Sequence, residues 1–594
     1  LESNSAAALF IQRARQAKLD FILAKDDHSA VKRICQLVEG LPLGLELAAT
    51  WVRVLSVKEI VHEIERSMDF LTTSARDLPA RHRSIRAVFD HSWNLLSHQE
   101  QRMLRQLTVF SGGFTREAAQ RVAGASISQL SALVDKSLLR HTSVHAGWYD
   151  FHELIRQYVY DKAQDDSEEH AQLHERHAGY YAAWLQRWES LLQGPQQQDI
   201  LNQISLEIDN VRSAWNWMVT YCHTAYLQQS LMGLFVFHDI RNWLQQGAAL
   251  FEQAVLALQP YAMVDGEDDP STTLLGELMA CQGHMCWHLG QTQKARELLQ
   301  RSLQLLGPDR KRPMLAEAVL YLSLLEHSQG NYTAARQLAE ECVSLNREQG
   351  RVSGIGYALS NLGMVCLAQG EPETAYICLK ESVAVMRSID HPRGIATSLT
   401  RLGAAALRLG KLSEAEQILE ESLEITRMLS DRWGLGNTLN YLGLLALARR
   451  DLERAESLMR ESMNLFDEDG DQIMLASTLT DLGYILTDRH AESEARQVFL
   501  KALQIAHHSA AMPALLYALV GLATLYAKDG ENELSLELAM HSLRHPSSSW
   551  QTRDRAEQSQ AELKTQLTPQ QWDAVQARVR GKTFEALVQE MLAF

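Results

Sequence analysis

The chain has 594 residues, 46% of them hydrophobic, and a formal net charge of −16. That acidic balance excludes the basic footprint of a general nucleic-acid binder, and no run of about twenty apolar residues offers a helical membrane span. Seven cysteines in no regular framework and the lack of a secretory signal predict a reduced, cytoplasmic setting and no membrane partner.

In chain order, residue 1 is Leu and Leu1–Arg15 reads as the middle of something, so we expect the carboxyl-terminal part of a longer protein. Ser5–Lys18 is a predicted amphipathic helix and Ser29–Leu37 begins another. Gly40 ends that helix, and Pro42 suits the first turn of the next, where no donor is needed. Asp26-Asp27 imitates a magnesium-binding acidic pair, but Lys25 interrupts the apolar approach.

Leu78–Ala163 reads as helices at Ile85–Trp93, Gln99–Val109, Arg116–Ala123 and Ile127–Asp135. Phe110–Thr115 is expected as a turn, with Thr115 capping the next helix. Ser137–Arg140 and Gly147–Phe151 read as two strands of a hairpin wing, and His152 opens a further helix. Arg81–Arg86 is a small basic cluster ahead of the first helix, and Arg116–Ala123 carries few groups able to read DNA.

Gly40-Leu41-Pro42-Leu43, with Ala8–Ala14 and Ile34–Leu37 ahead of it, resembles the GLPL motif of the NB-ARC/STAND class of signalling NTPases. Phe151-His152-Glu153 resembles the MHD motif of that class at the histidine only. The resemblance implies that Pro42 packs near the adenine and that His152 contacts the phosphate of bound ADP. An imidazole at a helix start can donate to an anion, aided by the helix dipole. It also implies that residues 78–163 are a winged-helix domain serving as a lever on the nucleotide rather than as a DNA reader. Glu207–Ala214 resembles a segment that joins lever to repeats in bacterial members. No GxxxxGK[ST] phosphate loop is present, and Gly581-Lys582-Thr583 lacks the required earlier glycine and strand. The chain alone is therefore expected to be no enzyme and to hold no cofactor, with ADP or ATP held by the intact protein.

Ser167–Met263 is helical and rich in aromatics at core spacing, and Asp265–Pro270 is an acidic loop. From Leu274 to Arg544 the chain repeats every forty residues: Gly290, Gly330, Gly370, Gly410, Arg450, His490 and Gly530 share one column. Columns of small residues run with it, including Ala295 to Ala495, Gly283 to Gly483, and Ser302 to Ser542. A fixed period of this length marks a solenoid of helical hairpins, each burying its apolar face on the next. The spacing resembles the tetratricopeptide repeat, with helices longer than in the usual repeat of about thirty-four residues. Terminal helices at Gln551–Gln566 and Pro569–Ala593 would cap it, and Leu592-Ala593-Phe594 reads as a natural terminus.

In tetratricopeptide folds the first helix of each hairpin lines a concave groove. Tyr357, Asn361, Arg401, Asn437, Tyr441 and Asp481 fall in two columns that are polar or aromatic where a core column would be aliphatic. Tyr and Arg are favoured binding anchors, and Asn offers a paired donor and acceptor. Arg401 predicts an acidic or carboxylate feature in the ligand. Cys281, His284, Cys286 and His288 have chelating types at helical spacing, but no other unit keeps them, so no metal is expected there.

The expected fold is mainly α: a winged-helix domain followed by a right-handed α-solenoid of tetratricopeptide-like hairpins. The expected divisions are 1–77 (remnant of an NTPase module with GLPL), 78–163 (winged helix), 164–270 (helical coupling domain), 271–550 (repeats) and 551–594 (cap). The function this implies is the sensor and regulatory part of a bacterial STAND ATPase. A protein, peptide or small molecule binds the groove, and the lever relays it to upstream nucleotide-binding and effector domains and to assembly into an oligomer. The rival reading is a free-standing interaction scaffold without nucleotide control.

Overall fold

The computed structural model describes residues 5–18, 21, 23, 27–38, 40–72, 84–142, 147–163, 167–189, 191–194, 196–262 and 269–593. Lys25 and Asp26, the basic residues Arg81–Arg83 and most of the acidic loop 265–270 lie outside them. Two compact units form: Leu1–Leu185 with Gln203–Ser230, and Gln186–Asn202 with Leu231–Phe594. The expected coupling segment 164–270 is thus divided between the two.

In the first unit, helices Ser5–Ala17, His28–Leu37, Pro42–Thr50 and Val57–Arg66 pack around Phe10, Ile34, Leu45 and Ile60, all fully buried. Gly40 takes a φ of +72° between the second and third. Helices Ile85–Asn94 and His98–Leu107 follow, then strand β1 (Phe114–Thr115), helices Arg116–Ala123 and Ile127–Asp135, and strands β2 (Leu139–Thr142) and β3 (Trp148–Phe151). The sheet order is β1-β3-β2, all antiparallel, with Phe114 opposite Tyr149 and Leu139 opposite Phe151. Two helices, a short strand, two more helices and the β2–β3 hairpin thus follow in chain order. The sequence reading misses β1, taking it for a turn, because two residues are too short to show a period. Phe114 is nonetheless fully buried, stacked on Phe110 at 4.6 Å.

The segment from Glu207 fastens itself to that turn. Asn210 Nδ2 donates to Gly113 O (2.8 Å) and to Glu207 Oε2 (3.0 Å), while Ser111 N donates to Asn210 Oδ1 (2.8 Å). Tyr181 OH donates to the same Glu207 oxygen at 2.7 Å. Every member of this buried network has a partner, which is the condition for such a network to fix one geometry.

In the second unit seven hairpins run in register. Their first helices are Pro270–His288, Pro313–Ser328, Val352–Gln369, Pro392–Arg408, Arg432–Ala448, Gln472–Asp488 and Met512–Lys528. Their second helices are Thr292–Leu306, Tyr332–Gln349, Pro372–Ser388, Leu412–Leu429, Leu452–Asp469, Glu492–His508 and Asn532–Arg544. The column from Gly290 to Gly530 sits at the turn within each hairpin in the left-handed region, and Arg450 (φ 64°) and His490 (φ 60°) adopt it too. A second left-handed turn joins successive hairpins at Gly350, Asp390, Ser430, Gly470 and Ala510. Only two of these are Gly, so this column leaves little trace in the sequence.

The small columns do two different things. A Cβ on Gly363 would lie 2.5 Å from Leu379 Cγ, and one on Gly403 2.5 Å from Leu419 Cδ2, so these glycines let the paired helices touch. The column from Ser302 instead carries hydrogen bonds. Ser302, Ser382, Ser422 and Ser462 Oγ donate to the carbonyls of Gly276, Gly356, Ala396 and Gly436 at 2.6, 2.7, 3.0 and 2.7 Å. The same bond recurs with the weaker donor Cys342 Sγ to Ala316 O (3.3 Å). A buried carbonyl with a spare lone pair gives these five side chains a partner; Ala502, in the same column, makes no such bond.

The closing segment has one more helix than expected. Pro569–Ala593 is two helices, Pro569–Gly581 and Phe584–Leu592. Leu563, Val575 and Val579 close on Leu536 and Met540, and Leu587, Val588 and Met591 join the core of the last hairpins.

Candidate functional site

The first helices of successive hairpins pack directly on one another, the second helices far less. That asymmetry bends the second unit and puts the first helices on its concave side. The bend brings distant hairpins together. Asn242 Nδ2 donates to Asp469 O (3.1 Å), Thr292 Oγ1 to Ser509 O (3.4 Å) and Tyr332 OH to Ser547 O (3.5 Å).

On this inner side Arg401 is half-buried, and its guanidinium donates to Ser360 Oγ at 3.0 Å. Among the described residues no carboxylate pairs with it. Burial lowers its pKa, opposed by the phenols of Tyr441 and Tyr357 on the neighbouring hairpins. Tyr441 and Tyr357 are half-buried, and burial raises their own pKa values, that of Tyr357 to about 12. Tyr357 meets the ring of His391 edge-on, centroids 5.7 Å apart. A half-buried guanidinium without a carboxylate, between two phenols, is an anion receptor in chemical terms.

Of the other expected groove residues, Asn361 and Asp481 are engaged between hairpins, whereas Asn437 is not. Asn361 is 1% exposed and donates to Ser323 Oγ at 2.7 Å, between two hairpins. Asp481 is 6% exposed, accepts from Tyr517 OH (3.0 Å) and Asn440 Nδ2 (3.3 Å), and is raised in pKa by burial. Asn437 Nδ2 donates back to Trp433 O on its own helix (3.0 Å), leaving the side chain half-buried. The column pattern places these residues on the inner side but does not tell a presented side chain from one spent between hairpins.

Sequence reasoning misses one contributor. Helix Trp550–Gln566 packs Ala556 against Val520 and Ala539, and its first turn reaches the inner side. Arg555 stacks over the Tyr484 ring at 3.7 Å, and Gln551 Nε2 donates to Tyr517 OH at 2.5 Å. Trp550 lies against Gly370 and beneath Arg408, 5.1 Å from its guanidinium. The register of forty ends before this helix, so the repeat pattern gives no sign of it.

A polar cluster joins the end of helix Thr224–Ile240 to the first, fourth and fifth hairpins. His284 Nε2 lies 3.1 Å from Asp239 Oδ1, Arg393 Nη1 lies 3.2 Å from Asp239 Oδ2, and Arg393 Nε lies 3.4 Å from Asp431 Oδ2. Burial would raise Asp239, but His284 and Arg393 overcome it and hold the carboxyl well below its usual range. Cys281 and Cys286 take no part: the first is fully buried near Glu277 and Glu317, the second lies in the field of Lys294 and Glu252.

In the first unit Pro42 opens its helix at the first turn with an exposed ring. His152 is half-buried, and its Nδ1 accepts from Leu154 N at 3.3 Å, so the imidazole caps helix Glu153–Ala163. Helix Ile127–Asp135, which directly precedes the β2–β3 hairpin, carries no cation. Gly581–Thr583 is a turn between two helices, with Lys582 Nζ on Glu537 Oε1 (3.0 Å).

Residues 274–348 and 355–428 match the family model of the tetratricopeptide repeat. The first four hairpins are therefore tetratricopeptide repeats, and the next three continue their geometry. A curated protein of Mycobacterium tuberculosis, provisionally named the HTH-type transcriptional regulator Rv0890c, is 31% identical over 257 residues, 42% of this chain and 29% of its own length. An uncharacterized protein of the same organism, Rv0894, is 30% identical over 181 residues, 29% of this chain and 46% of its own length. Each match spans less than half of the relative. Among solved structures, the chain is similar to a Signal Transduction ATPase with Numerous Domains (STAND) protein with a tetratricopeptide repeat sensor, PH0952, from Pyrococcus horikoshii. The similarity covers 97% of this chain and 74% of that one at 12% identity, with a TM-score of 0.48. A Rap protein complexed with Competence and Sporulation Factor is similar over 55% of this chain and 96% of its own, at 13% identity and a TM-score of 0.40. Among the described residues no helix is long and apolar enough to cross a membrane.

Proposed function

We propose that this chain is the sensor and regulatory portion of a STAND-type signalling ATPase, and that the concave side of its repeats captures an acidic ligand segment. The observation that carries the sensor reading is Arg401. Its guanidinium stands half-buried between Tyr357 and Tyr441 without a carboxylate partner among the described residues. A cation held partly out of water is poorly solvated, and a ligand carboxylate would restore its interactions at close range. Tyr357, Arg401, Asn437 and Tyr441 form the contact surface in this reading. Asn361 and Asp481 hold the hairpins that carry it.

The relay is the finer part of the proposal. Pro42 and His152 face ADP held by an upstream domain, and residues 84–163 act as the lever. His152 caps its own helix through Nδ1, and a nucleotide phosphate would be met by its Nε2. A ligand shifts such a switch only by the difference in its affinity for the two states. The expected setting is cytoplasmic, in a bacterial cell. In this reading residues 84–163 serve as a lever and not as a DNA reader, helix Arg116–Ala123 offering few groups able to read bases.

Selection from a random dodecapeptide library, displayed on phage, tests the sensor. Peptides enriched on the full chain should share an acidic residue at one position and lose most binding to Arg401→Glu. Enriched peptides that bind Arg401→Glu equally well would remove Arg401 from the site. His152→Ala in the intact parent protein should raise basal nucleotide exchange; unchanged exchange would leave His152 a helix cap.

A further inference from the structure

The cluster around Asp239 has a chemistry separate from the anion-receiving surface. His284 and His288 stand four residues apart on helix Pro270–His288, so both imidazoles project from one face. Asp239 joins them from the end of helix Thr224–Ile240, two helices earlier in the chain. The ligating atoms of Asp239, His284 and His288 all lie within 4.8 Å of one another. We propose that these three side chains form a binding site for a divalent transition-metal ion of the zinc class.

The ligand types select the ion. Two imidazoles and one carboxylate suit zinc, cobalt or nickel, whereas magnesium and calcium prefer oxygen ligands alone. Bonds of about 2.0–2.2 Å to a tetrahedral ion place ligand atoms roughly 3.3 Å apart. Side-chain movements on the order of 1 Å bring the present atoms to that spacing, which rotation about χ1 and χ2 can supply. His284 already turns its Nε2 to the carboxylate, 3.1 Å from Asp239 Oδ1, and its buried Nδ1 has no hydrogen-bond partner that would hold the ring in another orientation. His288 and Asp239 are only half-buried. Three protein ligands leave a fourth position, which water can fill from that side.

Charge decides how the ion enters. Arg393 bridges Asp239 and Asp431, so two carboxylates share one guanidinium and the group carries one negative charge in excess. A divalent ion on Asp239 competes with Arg393 for the same carboxylate. Asp431 retains the guanidinium when Asp239 turns to the metal. Arg393 lies on the first helix of the fourth hairpin and Asp239 on helix Thr224–Ile240, so occupancy would exchange an ion pair to the fourth hairpin for a metal tie to the first.

Equilibrium dialysis of the full chain against zinc chloride, buffered with a chelator, tests the site. One equivalent should bind, and Asp239→Asn and His288→Ala should each weaken it at least tenfold. Arg393→Gln removes the competitor and should strengthen binding; it deletes no ligand, so a merely structural role predicts no gain. Cobalt in place of zinc should give the visible absorption of a four-coordinate site, absent in His284→Gln. Substitution of the exposed pair His507 and His508 by Ala should change nothing. No retained ion, equal retention by Asp239→Asn and His288→Ala, or weaker binding by Arg393→Gln would overturn the proposal.

Discussion

Asn210 shows how one side chain can hold a segment in place. It receives from Ser111 N and donates to Gly113 O and Glu207, so Asn210→Ala would strand a half-buried amide and carbonyl and leave the Glu207 oxygen to Tyr181 alone. The expected loss is about 2–4 kcal/mol, read from the denaturant midpoint of the first unit's transition. His177 is a second test at this scale. It is 1% exposed among Phe110 and Tyr181, and burial lowers its pKa to about 3. The folded state thus refuses a proton that the unfolded state takes at its ordinary value near 6.5. The contribution of neutral His177 is present above pH ~6.5 and is lost as pH falls towards 3, by up to about 1.4 kcal/mol per pH unit. His177→Leu should flatten that part of the stability profile relative to the parent chain; parallel profiles would contradict the burial.

At the scale of the element, two glycines of the same repeat pattern should behave differently. A Cβ on Gly363 meets Leu379 at 2.5 Å, while one on Gly410 meets nothing within 4 Å and only the left-handed backbone opposes it. Gly410→Ala should therefore cost about 1 kcal/mol, and Gly363→Ala about 1–3 kcal/mol through overpacking. A Gly363→Ala melting temperature equal to that of the parent chain would contradict close helix contact at Gly363. The hairpins were legible in the sequence because turn and contact glycines recur every forty residues. The second turn column was not, since Asp390, Ser430 and Ala510 take left-handed backbone that their residue types do not advertise. The same limit applies to sites. Arg401 was legible as a polar break in a column, whereas Asp239 stands 45 residues before His284 and outside the register, so no spacing rule joins it to the histidines. The serine column looked merely small, because a hydrogen bond to a carbonyl 26 residues earlier has no signature of its own.

For the whole molecule, the bend of the second unit and the closing helix belong to one design. Trp550, Gln551 and Arg555 tie the chain's last part to the first helices of hairpins three, four, six and seven. Trp550→Ala should speed amide exchange along Val352–Gln369 and Met512–Lys528, measured by mass spectrometry; unchanged exchange would show that the bend stands without this tie. The central claim is that ligand enters the concave side at Arg401. The measurement that meets it most directly is photo-cross-linking of the library-selected acidic peptides to the full chain. Benzoylphenylalanine would be placed at Tyr441 on the inner side or at Ile377, 67% exposed on a second helix. Cross-links from position 441 that Arg401→Glu abolishes, with none from 377, are the expected result. Cross-links from 377 alone, or from 441 regardless of Arg401→Glu, would contradict the account.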